Sequence, residues 1–232
     1  MHARRSMFNA GMLAVAPMLP GVAPFGIIAG LTAVDTGLSS AQAIAMSLTI
    51  FAGASQLATL QLIGEDALPL IILLTALTIN LRLAMYSASL APHLQHLGRR
   101  WHLPLAYFLV DQNYAVAIQR YQAGDPAWSA RGHWYYLGAG VALWTTWQVS
   151  TAVGVFAAAG VPRGWSLDFA IPLVFMVLLV PSLRNRAHIV AAVVGGIVAV
   201  VAADIPLKLG IVTGALSGIV AGVACQRLWG SE

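Results

Sequence analysis

The stretch LPLIILLTALTINLRLAMYSASLA (68–91) is apolar along almost its whole length and carries a single arginine, Arg82, near its middle. About 20 apolar residues suffice to cross the hydrocarbon core as a helix, so this segment reads as a transmembrane span. A second stretch, LPLAYFLVDQNYAVAI (103–118), holds Asp111 in a similar setting. A charge at bilayer depth costs several kcal/mol unless it is paired or hydrated, so such residues tend to face a protein interior and mark a substrate or ion pathway.

The composition agrees. Of 232 residues, 59% are hydrophobic and only 9% are charged, too few charges to clothe a water-soluble domain of this length. The expected protein is an all-α polytopic membrane protein forming one transmembrane domain over 1–232. Apolar windows fall at about 8–31, 41–63, 67–91, 103–121, 134–159, 168–183, 188–203 and 209–228, and all read as helices, because an open sheet cannot span lipid and the alternating pattern of a barrel is missing.

Seven to eight crossings follow, depending on whether 41–63 crosses or dips and returns. With eight crossings and a cytoplasmic N-terminus, Arg4, Arg5, Arg120, Arg131, Arg184, Arg186 and Arg227 lie inside, against Arg99, Arg100, Arg163 and Lys208 outside, the better fit to the positive-inside rule. The net charge of +4 is explained by such loops, with no basic run or motif for nucleic acid. The basic start followed by an apolar stretch also resembles a signal peptide, with Ala14-Val15-Ala16 as the nominal cleavage site, but apolarity continues to Leu31 and makes a full crossing.

Several windows carry interruptions. Pro17, Pro20 and Pro24, with Gly21 and Gly26, predict a first helix that kinks or breaks in mid-membrane, and broken helices near the midplane are where transporters tend to hold substrate. Gly210, Gly214, Gly218 and Gly222 recur at every fourth residue of the last window, a ridge suited to close packing on another helix of this chain or of a second subunit. ALPLIILLTALTINLR (67–82) and AIPLVFMVLLVPSLR (170–184) share a pattern that suggests an inverted repeat, as transporters often have.

The polar residues are patterned. Thr75, Thr78, Arg82, Tyr86 and Ser89 share one face at helical spacing. Asn80 would point elsewhere, so either it contacts a separate helix or the backbone unwinds at Asn80-Leu81-Arg82. The fourth window contributes Tyr107, Asp111, Tyr114 and Tyr121, flanked by Gln112 and Asn113. Thr49, Gly53 and Gln56, next to Ser55, mark the second, and Trp144, Gln148 and Thr151 the fifth. Arg82 and Asp111 either lock two helices together or suit the carboxylate and ammonium of a zwitterionic amino acid, and Asp111 is also a candidate proton carrier. His93, His96 and His102 lack acidic or thiol companions and read as a solvated loop with no metal site. Trp101, Trp134, Tyr135, Tyr136 and Trp229 read as interfacial anchors. The lone Cys225 allows no internal disulfide.

The runs PGVAPFG (20–26), FAGASQ (51–56), NLRLAMY (80–86) and LVDQNYA (109–115), in this order and spacing, resemble the AzlC family, the larger subunits of branched-chain amino acid exporters. The likeness covers about residues 8 to 225, and FAGA-x-Q followed by NLR-x-x-x-Y is its most specific part. It implies export of a small hydrophobic amino acid across the bacterial inner membrane, an ion gradient (a proton being the expected coupling ion), and a small AzlD-type membrane partner. Carried over by position, the resemblance assigns substrate binding or translocation to Pro24, Phe25, Gly26, Gly53, Ala54, Gln56, Asn80, Arg82, Tyr86 and Asp111, with Ser55 and Gln112 beside them. The family often has Asp-Glu where this chain has Asp111-Gln112, which leaves Asp111 as the main proton-carrier candidate. No cofactor motif is present, and no P-loop for ATP. The rivals are an intramembrane enzyme, for which neither HExxH nor a Ser/His/Asp signature is found, and a structural or regulatory subunit that docks a partner through the glycine ridge.

Overall fold

The computed structural model describes residues 2–124, 128, 131–160, 183, 185–203 and 210–229. Among these every regular element is helical. They form two compact units, one from 1–61 and 76–165, the other from 62–75 and 166–232. In chain order the α-helices are α1 (His2–Val15), α2 (Leu19–Asp35), α3 (Ser40–Thr49), α4 (Gly53–Gly64), α5 (Pro69–Leu94), α6 (His102–Tyr107), α7 (Asp111–Gln122), α8 (Gly132–Ala157), α9 (Arg186–Val201) and α10 (Gly210–Trp229). Three of the described helical runs are long and apolar enough to cross a membrane: Arg4–Asp35, Pro69–Leu94 and Gly210–Leu228. Helix α5 presents Leu70, Leu73, Leu77, Leu81 and Met85 outward, all exposed, at the three- and four-residue spacing of one helical face.

The prolines of the first window coincide with a change of helix type rather than a non-helical gap. A single 3-10 turn, Ala16–Met18, joins α1 to α2, and the pair runs on as one span of 32 residues. Pro17 and Pro20 both fall in the first positions of an element, where the missing N–H would have had no helical partner. Only Pro24 lies inside a helix.

Non-helical interruptions lie in two later windows. The window 41–63 is split into α3 and α4 by the non-helical residues Ile50, Phe51 and Ala52, and the window 103–121 into α6 and α7 by Phe108–Val110. Asp111, expected near the middle of a continuous helix, is instead the first residue of α7. By contrast α5 continues unbroken through Asn80-Leu81-Arg82, so unwinding there is ruled out. The window 168–183 and most of the second repeat copy, 170–184, lie outside the described residues.

Helix α8 is the most buried element of the first unit, with 15 of its 26 residues buried and Val149, Val153 and Phe156 exposed. It is held to α1 and α2 by reciprocal glycine contacts. A Cβ on Gly11 would strike the Tyr135 carbonyl, one on Gly138 the Phe8 carbonyl, one on Gly30 the Thr151 carbonyl and one on Gly154 the Ile27 carbonyl. Such approach of backbones suits membrane helices, where packing rather than water exclusion drives association.

In the second unit the ridge Gly210, Gly214, Gly218 and Gly222 packs on α9. A Cβ on Gly214 would meet Ala199 at 2.7 Å, and one on Gly218 the Ala191 carbonyl at 2.6 Å. The partner of the ridge, open from sequence, is thus the preceding helix. Tyr135 and Tyr136, expected as interfacial anchors, are buried, while the Trp229 side chain falls outside the described part.

Gly30→Val should drive side-chain atoms into the Thr151 carbonyl, at a cost of about 1–3 kcal/mol or more. A clear fall in thermal midpoint and in monodisperse yield from detergent is expected. Gly21→Ala, where nothing lies within 4 Å, should leave both within about 0.5 kcal/mol of the parent.

Candidate functional site

In hydrocarbon, backbone groups released by a helix break need new partners. At the first break Ile50 N–H still reaches the Met46 carbonyl at 2.8 Å, but the carbonyls of Ser47 and Leu48 lose their helical donors at positions 51 and 52. Side chains replace them. Gln148 Nε2 donates to the Ser47 carbonyl at 3.0 Å, and the Tyr107 hydroxyl to the Leu48 carbonyl at 2.7 Å. Trp144 Nε1 in turn donates to the Tyr107 oxygen at 2.8 Å.

The second break is treated alike. Leu109 N–H turns to the Ala106 carbonyl, which frees the Leu105 carbonyl, and the Tyr136 hydroxyl donates to it at 3.0 Å. Asn113, fully buried, donates from Nδ2 to the Phe108 carbonyl at 2.9 Å. The polar stripe of the fifth window thus serves largely to hold the breaks. Asn113 and Tyr136 carry roles that their sequence context did not signal, since nothing in a linear pattern marks which carbonyl will be released.

Helix α5 runs between the half-helices that begin at these breaks. Asn80 Nδ2 donates to Ser55 Oγ at 3.1 Å, near the start of α4. Arg82 Nη1 lies 2.8 Å from Asp111 Oδ2, at the start of α7. Two residues along a helix amount to about 3 Å of rise and about 200° of rotation. The N-termini of α4 and α7 therefore meet α5 at nearly one depth and on opposite sides, at the midpoint of its 26 residues. Asp111 in the first turn of α7 is also favoured by the positive end of that helix.

The ion pair is single-pronged and not sealed, with Arg82 33% and Asp111 39% exposed. Arg82 Nε and Asp111 Oδ1 are themselves buried and have no hydrogen-bond partner. The pair thus keeps one buried donor and one buried acceptor unsatisfied, although Asp111 also hydrogen-bonds with Tyr86, a costly arrangement where water is scarce and one that a ligand bearing both an anionic and a cationic group would satisfy. Tyr86 lies in the field of Asp111 and Arg82 and stacks on Tyr114 with centroids 4.2 Å apart, while Tyr114 donates to Ser89 Oγ at 3.0 Å.

On the α4 side, Gln56 is fully buried. Its Oε1 accepts from Trp147 Nε1 at 3.3 Å and its Nε2 has no partner. The Trp147 ring also lies 2.8 Å from where a Gly53 Cβ would sit. The structure thus gathers Gly53, Ser55, Gln56 and Asn80 on one side of α5, and Arg82, Tyr86 and Asp111 on the other. Ala54 and Gln112 are half-buried beside them. Pro24, Phe25 and Gly26 lie on α2, where Gly26 faces Ser150 and the Trp147 carbonyl in the seam with α8.

A mid-span charge pair that joins an unbroken helix to the start of an interrupted one, in a chain with long apolar spans, defines an all-helical membrane protein with a polar centre. The family model described as AzlC protein matches residues 17–161, which include both breaks and the pair, and the chain belongs to that family. It is 32% identical over 200 residues to an "Uncharacterized membrane protein" of Archaeoglobus fulgidus, covering 84% of each chain. It is 26% identical over 201 residues to "Inner membrane protein YgaZ" of Escherichia coli K12, covering 83% of this chain and 81% of the relative. No solved structure matches the chain.

Neutralising one partner strands the other. Arg82→Gln or Asp111→Asn alone should lower the thermal midpoint in detergent more than the double replacement does. Tyr136→Phe, which removes the donor to the Leu105 carbonyl, should cost about 1–3 kcal/mol and speed hydrogen exchange around residues 105–110.

Proposed function

We propose that this protein is a secondary active exporter of branched-chain or similar hydrophobic amino acids, residing in the bacterial inner membrane. The observation that carries the reading is the Arg82–Asp111 pair, single-pronged and about a third exposed, at the midpoint of a span and at the start of an interrupted helix. Its unpartnered donor and acceptor match the two charged groups of a zwitterion, the guanidinium taking the carboxylate and Asp111 the ammonium. The family membership and the name of the Escherichia coli relative, an inner membrane protein, support the setting.

In this mechanism the pair is the resting state. Substrate enters and exchanges its own charges for those of the pair, and its departure leaves Asp111 free of both partners and able to exchange a proton as the helices rearrange. Asp111 then couples movement to a proton gradient, and a small AzlD-type subunit completes the working exporter.

Efflux from cells preloaded with leucine tests this, with and without the small subunit. Expression should accelerate leucine efflux, and Asp111→Asn should abolish gradient-driven movement while membrane insertion stays normal. Leucine efflux unchanged by expression would refute the assignment, and full activity in Asp111→Asn would remove that carboxylate from the mechanism.

A further inference from the structure

Helix α8 measures depth for both broken windows, because its 26 residues extend for about 39 Å. Trp101, just before α6, packs its ring 4.8 Å from His133 and 5.2 Å from Trp134, in the first turn of α8. At the break, Phe108 and Asn113 lie 2.7 and 2.9 Å from where a Gly140 Cβ would sit, eight residues or about 12 Å further along. Tyr121, near the end of α7, is back at the first turn, its hydroxyl 2.8 Å from a Cβ on Gly132. The segment 101–121 thus goes in along α8 and comes out at the end where it entered. The window 41–63 does the same from the other end. Ala43 of α3 and Leu60 of α4 pack in one buried cluster with Ala33 and Val155, close to the last turn of α8. Nearer the break, Ser47 and Gln56 bond instead to Gln148 and Trp147, about 11 Å back along α8. The span Arg4–Asp35 separates the two ends, since Arg4 lies over Trp134 and Ala33 packs with Val155. The tips meet, Phe51 against Tyr107 with centroids 6.2 Å apart.

We propose that 41–63 and 103–121 are two re-entrant helical hairpins, which enter the membrane from opposite faces and bring Ser55 and Asp111 to α5 at mid-depth without crossing. Through residue 157 the chain then crosses three times, where the sequence windows suggested five. The arginines support this independently. Apart from Arg82, those before residue 158 are Arg4, Arg5, Arg99, Arg100, Arg120 and Arg131, and the hairpins put all of them on one face. The opposite face receives 36–68, which holds no Lys or Arg. Were both windows to cross, Arg99 and Arg100 would part from the other four. A bias this complete makes the arginine-bearing face cytoplasmic. The inference stands on geometry and charge and does not need the transport reading. To that reading it adds an approach to one level of α5 from each face, with Asp111 at the tip of the cytoplasmic hairpin and Ser55 at the tip of the other.

The test uses the full-length protein in bacterial membrane vesicles of either orientation, with single thiols placed in a Cys225→Ser background so that one thiol remains. Ser40→Cys and Leu68→Cys flank the first hairpin, and Gly98→Cys and Ala123→Cys the second, all at exposed positions. A membrane-impermeant maleimide should modify Gly98→Cys and Ala123→Cys in inside-out vesicles and not in right-side-out ones. Ser40→Cys and Leu68→Cys should show the reverse. Should a variant at the second hairpin fail to fold, Gln95→Cys and Gln122→Cys, also exposed, repeat the measurement there. Opposite sidedness within either pair means that the window crosses and overturns the proposal, as does one sidedness shared by all four. Labelling requires no transport. Absence of leucine efflux therefore leaves the hairpins standing, whereas contrary labelling beside leucine efflux removes the hairpins and leaves the transport reading intact.

Discussion

Hydrocarbon offers a released peptide carbonyl nothing to bond, and the two non-helical breaks among the described residues of the first unit persist because side chains take over that task. Gln148, Tyr107, Tyr136 and Asn113 each donate to one carbonyl that a continuous helix would have satisfied by itself. Two of these donors sit on α8, so the breaks keep their geometry only while α8 keeps its place. Its place is set by glycines, which bring its backbone against α1 and α2 so closely that no side chain fits between. A seam without a functional group in it therefore governs the polar centre.

The interruptions give α5 its neighbours. A continuous helix presents only side chains along its length, whereas a half-helix ending at mid-depth presents backbone N–H groups and the positive end of its dipole. Two such ends meet α5 within about 3 Å of the same level. One supports a neutral amide and hydroxyl contact through Asn80 and Ser55, the other a charge pair through Arg82 and Asp111. The neutral contact suits a fixed joint. The charged one, with unpartnered atoms on both residues, suits an exchange of partners.

Glycine serves differently in the second unit. There the ridge of α10 lies on the small residues of α9, a helix pair built from the spacing of one residue type. That pairing could be foreseen as packing from the repeat of four, but the partner could not, because any small-faced helix would serve.

The linear sequence was sufficient for the all-helical membrane class and for singling out Arg82 and Asp111, which the structure brings together, since both follow from local composition and from the cost of charge in lipid, and its motifs were sufficient for the family resemblance. It did not reveal the non-helical breaks in the second and fourth windows. The prolines of the first window accompany a 3-10 turn at Ala16–Met18, whereas the breaks at Ile50–Ala52 and Phe108–Val110 contain no proline at all. They exist because residues distant in the chain replace the lost hydrogen bonds at those points. Only the tertiary structure could decide that, because a break is tolerated or forbidden according to what another helix brings to it.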